Sequence, residues 1–256
     1  MIKKYGFFLA ALLALVAIIL FYTSGKFNPK LDELEQSCPT GIVQPSGHSA
    51  NMVGLQPVHY SKKNFNFSAI KGLSEKQLSE HNTLYEGYVN KRNEIAEKLT
   101  TVDRSNQNRT YAPYRALKLA ETYALNGSLL HELYFENMNN EHSSVGSKMN
   151  ELINKSFGSF AAFKEDLMAA AQASRGWVLT AYSLDDHLIH NYVLEEHNQT
   201  VPVLVMPLLV LDVYEHAYMI DFGIKRTPYL DVFWDQIDWN VVENRIKKWV
   251  IPFAQS

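Results

Sequence analysis

The 256-residue chain carries nine histidines, 27 Asp and Glu residues and one cysteine, Cys38. A single thiol excludes an internal disulfide framework and a thiolate zinc site, so any metal chemistry must run on imidazoles and carboxylates. The strongest local pattern is Leu211-Asp212-Val213-Tyr214-Glu215-His216-Ala217-Tyr218. Asp212 closes an apolar run, and a carboxylate placed there needs a partner or a cation. His216 stands four residues later, where a strand end turning into a helix lets both converge on one ion. The same pair also fits a helix-capping Asp beside a surface His. His131 lies among Leu129, Leu130, Leu133, Tyr134 and Phe135, and His81 lies on an earlier helical stretch. Either one alone reads as a hydrogen-bonded core histidine. Together the four supply three imidazoles and one carboxylate, a donor set that suits manganese, iron or zinc.

The elements that must position them follow from periodicity. A helical pattern runs from about Leu73 to Leu99, opened by Ser74 with Gln77 three residues on, in a capping-box arrangement. A polar loop, Thr100 to Thr110, leads to Pro113 and a second helix reaching about Asn137. Two long helices with a short connection make an antiparallel hairpin. Beyond the polar stretch Asn139 to Gly146, short helices at 147–156 and 159–173 precede two β-rich runs, 177–184 and 187–194, around Asp185-Asp186. A third apolar run, 203–214, contains Pro207, and helical segments follow near 215–222, 227–236 and 239–248. The pattern predicts an α+β fold. An N-terminal antiparallel helical hairpin (66–140) is followed by an α/β metal-binding domain (141–256) with a small antiparallel three-stranded sheet.

Ahead of these elements, Lys3 and Lys4 precede an uncharged stretch, Tyr5 to Gly25, whose core from Phe7 to Phe21 is apolar throughout. As a helix, residues 5–22 would span ~27 Å, close to the hydrocarbon thickness of a bilayer. Residues 1–25 therefore read as a transmembrane anchor, with a cleavable signal segment as the alternative. Both readings carry the remainder across a membrane, to the periplasm or cell exterior, either anchored or secreted after cleavage. Residues 26–65, broken by Pro39, Pro45 and Pro57, read as a polar tether. A net charge of −3 excludes a general electrostatic grip on nucleic acid. Twelve Gly and nine Pro are too few for a disordered or fibrous chain.

Asp-Val-Tyr-Glu-His-Ala-Tyr at 212–218 resembles the D-V-W-E-H-A-Y signature of the iron/manganese superoxide dismutases. Phe157 to Leu167, Ser174-Arg175-Gly176-Trp177, Tyr88-Val89-Asn90, the Gly127 to His131 spacing and Asn198-Gln199 resemble further motifs of that family, over roughly 65–250. The resemblance implies that His81, His131, Asp212 and His216 hold one manganese or iron ion per chain, with solvent in an open position. It implies that Gln199 hydrogen-bonds this solvent and that Tyr88 stands at the substrate funnel and helps to deliver protons. It also implies a homodimer in which Glu215 pairs with His216 of a second subunit. Gly127 together with Gln199 follows the manganese pattern, so manganese is expected over iron. The implied reaction converts superoxide to O2 and H2O2 through a redox-cycling metal. The chain departs from the pattern in several places. His81 precedes Tyr88 by seven residues, Leu84 and Tyr85 stand where the family often has a His, and Phe135, Tyr214 and Met219 replace Trp, Trp and Tyr. These departures support an alternative, a catalytically impaired superoxide-dismutase-like metal-binding module of the cell envelope. An oxygenase using two His and one carboxylate fits less well, because it leaves the third His unused.

Overall fold

The structure, a computed structural model, describes residues 56–139 and 143–254. Ser74 has an extended backbone and its hydroxyl accepts the Gln77 N–H at 3.0 Å, which starts helix α1, Glu75–Thr101. Leu78, His81, Tyr85 and Val89 recur on its buried face at the three- and four-residue spacing of one helical stripe. Pro113 opens α2, Pro113–Glu136, at a position whose N–H has no helical partner to lose. Contacts of His81 with His131, and of Ile95 and Leu99 with Ala124, run the two helices antiparallel.

The second half begins with α3, Ser147–Phe157, stopped by Gly158 at φ +78°, and α4, Phe160–Ala173, capped by the Ser159 hydroxyl. Three antiparallel strands follow, β1 (Trp177–Ser183), β2 (Ile189–Leu194) and β3 (Val205–Asp212), in the order β2-β1-β3. The central strand β1 is buried along its whole length. Its register sets Trp177 opposite Asp212 and slips between Thr180 and Ala181, leaving Leu208 as an extra residue beside Pro207. Proline has no N–H for the ladder, and an irregularity on an edge strand accommodates it.

Two boundaries differ from the sequence pattern. The strand expected from residue 203 starts at Val205, because Leu204 turns at φ +53° and Val203 is exposed. The helix expected over 215–222 is divided into a 3-10 turn, Glu215–Ala217, and the short helix α5, Met219–Phe222. Helices α6 (Arg226–Asp235) and α7 (Trp239–Arg245) follow, and α7 runs through a π turn, Ile246–Val250, into α8, Ile251–Ala254. One apolar cluster extends from Ile70 to Val250 and joins the hairpin, the sheet and the C-terminal helices. This is an α+β fold with a small antiparallel three-stranded sheet.

The apolar run 5–22 and the tether up to residue 55 lie outside the described residues. Among the described residues, no helix is long and apolar enough to cross a membrane. Residues 56–65 form neither helix nor strand, yet they lie along α1. Tyr60 exchanges two hydrogen bonds with Asn93, at 2.8 and 2.9 Å, and Lys63 pairs with Glu132 and Glu136.

Candidate metal centre

Four elements aim donors at one place. Helix α1 supplies His81, α2 supplies His131, the end of β3 supplies Asp212, and the 3-10 turn supplies His216. Their ligand atoms all lie within 4.8 Å of one another. Nε2 of His81 and Nε2 of His216 each stand 3.1 Å from Asp212 Oδ2, and His131 Nε2 stands 3.7 Å from it. His81, His131 and Asp212 are buried, while the His216 side chain keeps 24% of its surface exposed.

The surroundings fix the protonation of each ring. His131 Nδ1–H donates to the Gly127 carbonyl at 2.6 Å, one helical turn back, so the lone pair sits on Nε2, which has no protein partner. That lone pair faces a carboxylate oxygen, an unfavourable pairing that a cation between them would relieve. The donor set therefore fits a metal ion. Burial lowers the pKa of His81 and of His131, with Asp212 opposing only in part, so both rings stay neutral, the form that binds metal. Burial also works against a charged His216, but the adjacent Asp212 carboxylate outweighs it and raises the pKa. Burial would favour a protonated Asp212, yet His216 and His81 hold it well below the usual carboxylate range.

Further contacts hold the donors in position. Asp212 Oδ1 accepts the Tyr214 N–H at 2.9 Å, and the Asp212 carbonyl accepts the Tyr229 hydroxyl at 2.6 Å. The Tyr229 hydroxyl lies 3.0 Å from that of Tyr134, which ties the end of β3 to α6 and α2. Gln77 does not close a capping box on Ser74. Its Nε2 donates to the His216 carbonyl at 2.6 Å and its Oε1 accepts the Ile220 N–H at 3.1 Å. Asp221 takes the Ser74 N–H instead, at 2.6 Å. The first turn of α1 is thus fastened to the segment that carries His216.

Tyr88 lies on α1 seven residues after His81, close to two turns of an unbroken helix, with its ring 5.3 Å from that of His131. Its hydroxyl is 2.7 Å from His197 Nε2, and Trp177 Nε1 donates to His197 Nδ1 at 2.9 Å. An indole only donates, so Nδ1 is the acceptor, and the neutral ring carries its proton on Nε2 towards the Tyr88 oxygen. Burial holds His197 in this neutral form, with a pKa of about 4. The Tyr88 O–H hydrogen is left to donate elsewhere.

Gln199 requires a correction. It is exposed and lines an outer groove of about 870 Å³ together with Tyr88, Lys91 and Tyr123. The side chain that turns inward from this loop is His197, two residues earlier. Asn126 Nδ2 donates to the His197 carbonyl at 2.8 Å and Asn198 Nδ2 donates to Thr122 Oγ1 at 2.9 Å, which pins the loop to α2 and sends the imidazole inside. The sequence signal for His197 was only its type, a histidine next to the Asn-Gln pair. Glu215, expected at a subunit contact, is exposed beside His216.

Residues 145–245 match the family model for iron/manganese superoxide dismutases, C-terminal domain. The chain is 38% identical over 184 residues to superoxide dismutase [Fe] of Aquifex pyrophilus, covering 70% of this chain and 86% of that protein. It is 33% identical over 173 residues to superoxide dismutase [Mn] 2 of Haloferax volcanii, covering 66% of this chain and 84% of that protein. With such relatives covered over most of their length, the chain belongs to the iron/manganese superoxide dismutase family.

Proposed function

We propose that the chain is a superoxide dismutase, converting two superoxide anions and two protons into O2 and H2O2. The observation that carries this reading is the convergence of His81, His131, Asp212 and His216, with His131 Nε2 left unpartnered in the middle. These four side chains would hold one iron or manganese ion. Such an ion, when bound, supplies the one-electron exchange that takes an electron from one superoxide and returns it to the next. The protein's own part is to keep His81 and His131 neutral, to hold Asp212 ionised, and to keep protons at hand. Tyr88 serves the last task, because His197 donates to its oxygen and leaves its O–H directed elsewhere. His197 is the residue that orients Tyr88.

In the sequence, Gly127 together with Gln199 follows the manganese pattern. With Gln199 at the outer groove, the preference for manganese rests on Gly127 alone. The test is to load the purified protein with each metal in turn and to measure bound metal and superoxide consumption. One ion per chain with rapid turnover supports the reading, and the more active form identifies the metal. One bound ion without turnover would favour the impaired metal-binding module.

A homodimer through Glu215 and His216 is supported by the exposed apolar side chains of Met219 (46%) and Ile220 (45%) close by. Sedimentation equilibrium of Glu215→Arg against the wild type tests it, with a monomer expected for the variant. Anchoring or export through residues 5–22 rests on their apolar run, and fractionation of cells expressing the full chain tests it.

A further inference from the structure

Among the described residues, two buried side-chain polar atoms have no hydrogen-bond partner, His131 Nε2 and Tyr214 Oη. They want opposite things. A lone pair is satisfied by a cation, whereas a phenol O–H is first a donor and is satisfied by an anion or by water. Both belong to residues that pack on one metal-site histidine, since the His216 ring is nearly parallel to the His131 ring (5.6 Å, 19°) and to the Tyr214 ring (5.1 Å, 17°).

The acceptors of Asp212 and His197 beside the Tyr214 ring are already engaged. Asp212 Oδ1 takes the Tyr214 N–H, and Asp212 Oδ2 faces His81 and His216. His197, whose ring is 5.3 Å from that of Tyr214, has Nδ1 on Trp177 and Nε2 on Tyr88. Packing of the Tyr214 ring against His216, His197 and Trp177 restrains the phenol from swinging out to solvent. A buried hydroxyl without a partner is costly, and a phenylalanine would fill the same space without that cost.

We propose that the Tyr214 hydroxyl is a hydrogen-bond donor to the small anion that enters the metal centre, in addition to Tyr88. The inference rests on the dismutase reading, and in turnover the anion is superoxide. The hydrogen bond forms as the anion arrives and breaks as the product leaves, with no bond order changed at Tyr214.

The test uses azide as the anionic probe, titrated by its absorbance change against metal-loaded wild type and Tyr214→Phe. Affinity is read per bound metal ion, so partial loading of the variant does not enter. A hydrogen bond to a charged acceptor predicts that Tyr214→Phe weakens azide binding by about tenfold or more while retaining its metal. Equal azide affinity in the two proteins would overturn the inference. A wild-type protein that takes up neither iron nor manganese would instead overturn the dismutase reading beneath it.

Discussion

Iron and manganese take histidine as a neutral ring, and burial prepares His81 and His131 in that form. Each of the four donors is therefore expected to be needed. In His131→Ala and in Asp212→Ala, elemental analysis should find less than about a tenth of the wild-type metal. A ligand variant with full metal content would contradict the assignment. His197 and Gln199 are not among the four donors, so their variants are expected to behave differently. His197→Ala should retain its metal and lose about 10- to 100-fold in superoxide consumption, the usual cost of removing an outer partner. Gln199→Ala, an exposed residue on the groove, should stay within about twofold of wild type. Parallel activity and metal assays of the two variants distinguish the inward residue from the outward one.

Within the helical hairpin the two helices come close at Gly127. A Cβ added to Gly127 would stand 2.7 Å from Tyr88 Cδ1, so the glycine leaves room for the tyrosine ring. Gly127→Ala should force Tyr88 off His197, lower stability by about 1–3 kcal/mol in urea denaturation and reduce turnover. The fastening of α1 to the 3-10 turn depends on Gln77 in the same way. Gln77→Ala leaves the His216 carbonyl and the Ile220 N–H unpaired in a partly buried place. The expected loss is about 1–3 kcal/mol, with faster metal release to a chelator. The capping pattern at Ser74 and Gln77 located the start of α1 correctly. The direction of the glutamine side chain was not legible, since its partners lie 139 and 143 residues away.

At the scale of the molecule, Arg245 joins the C-terminal helices to both halves. It is 4% exposed and donates to the carbonyls of Leu133 and Leu208, to Asn137 Oδ1 and to Glu136 Oε2, all at 2.9 to 3.2 Å. One guanidinium thus links α7 to the end of α2 and to β3, the two elements that carry His131 and Asp212. Arg245→Met should cost about 3–5 kcal/mol in urea denaturation, because it strands several buried acceptors and one carboxylate. Loss of that size would loosen the metal centre from a distance. Retention of full stability in Arg245→Met would show that the linkage is incidental.

The amino-acid sequence alone determined the order of elements, the start of α1 and the four candidate donor side chains by type. Regular elements repeat, and a repeat of 3.6 or 2 residues shows which side is buried. The tertiary structure decided which residue of the loop after β2 meets Tyr88, where Gln77 points and why position 127 is glycine. A loop has no period to read. The contact between Tyr88 and His197 spans 109 residues, and it exists because α2 pins that loop from outside the local chain.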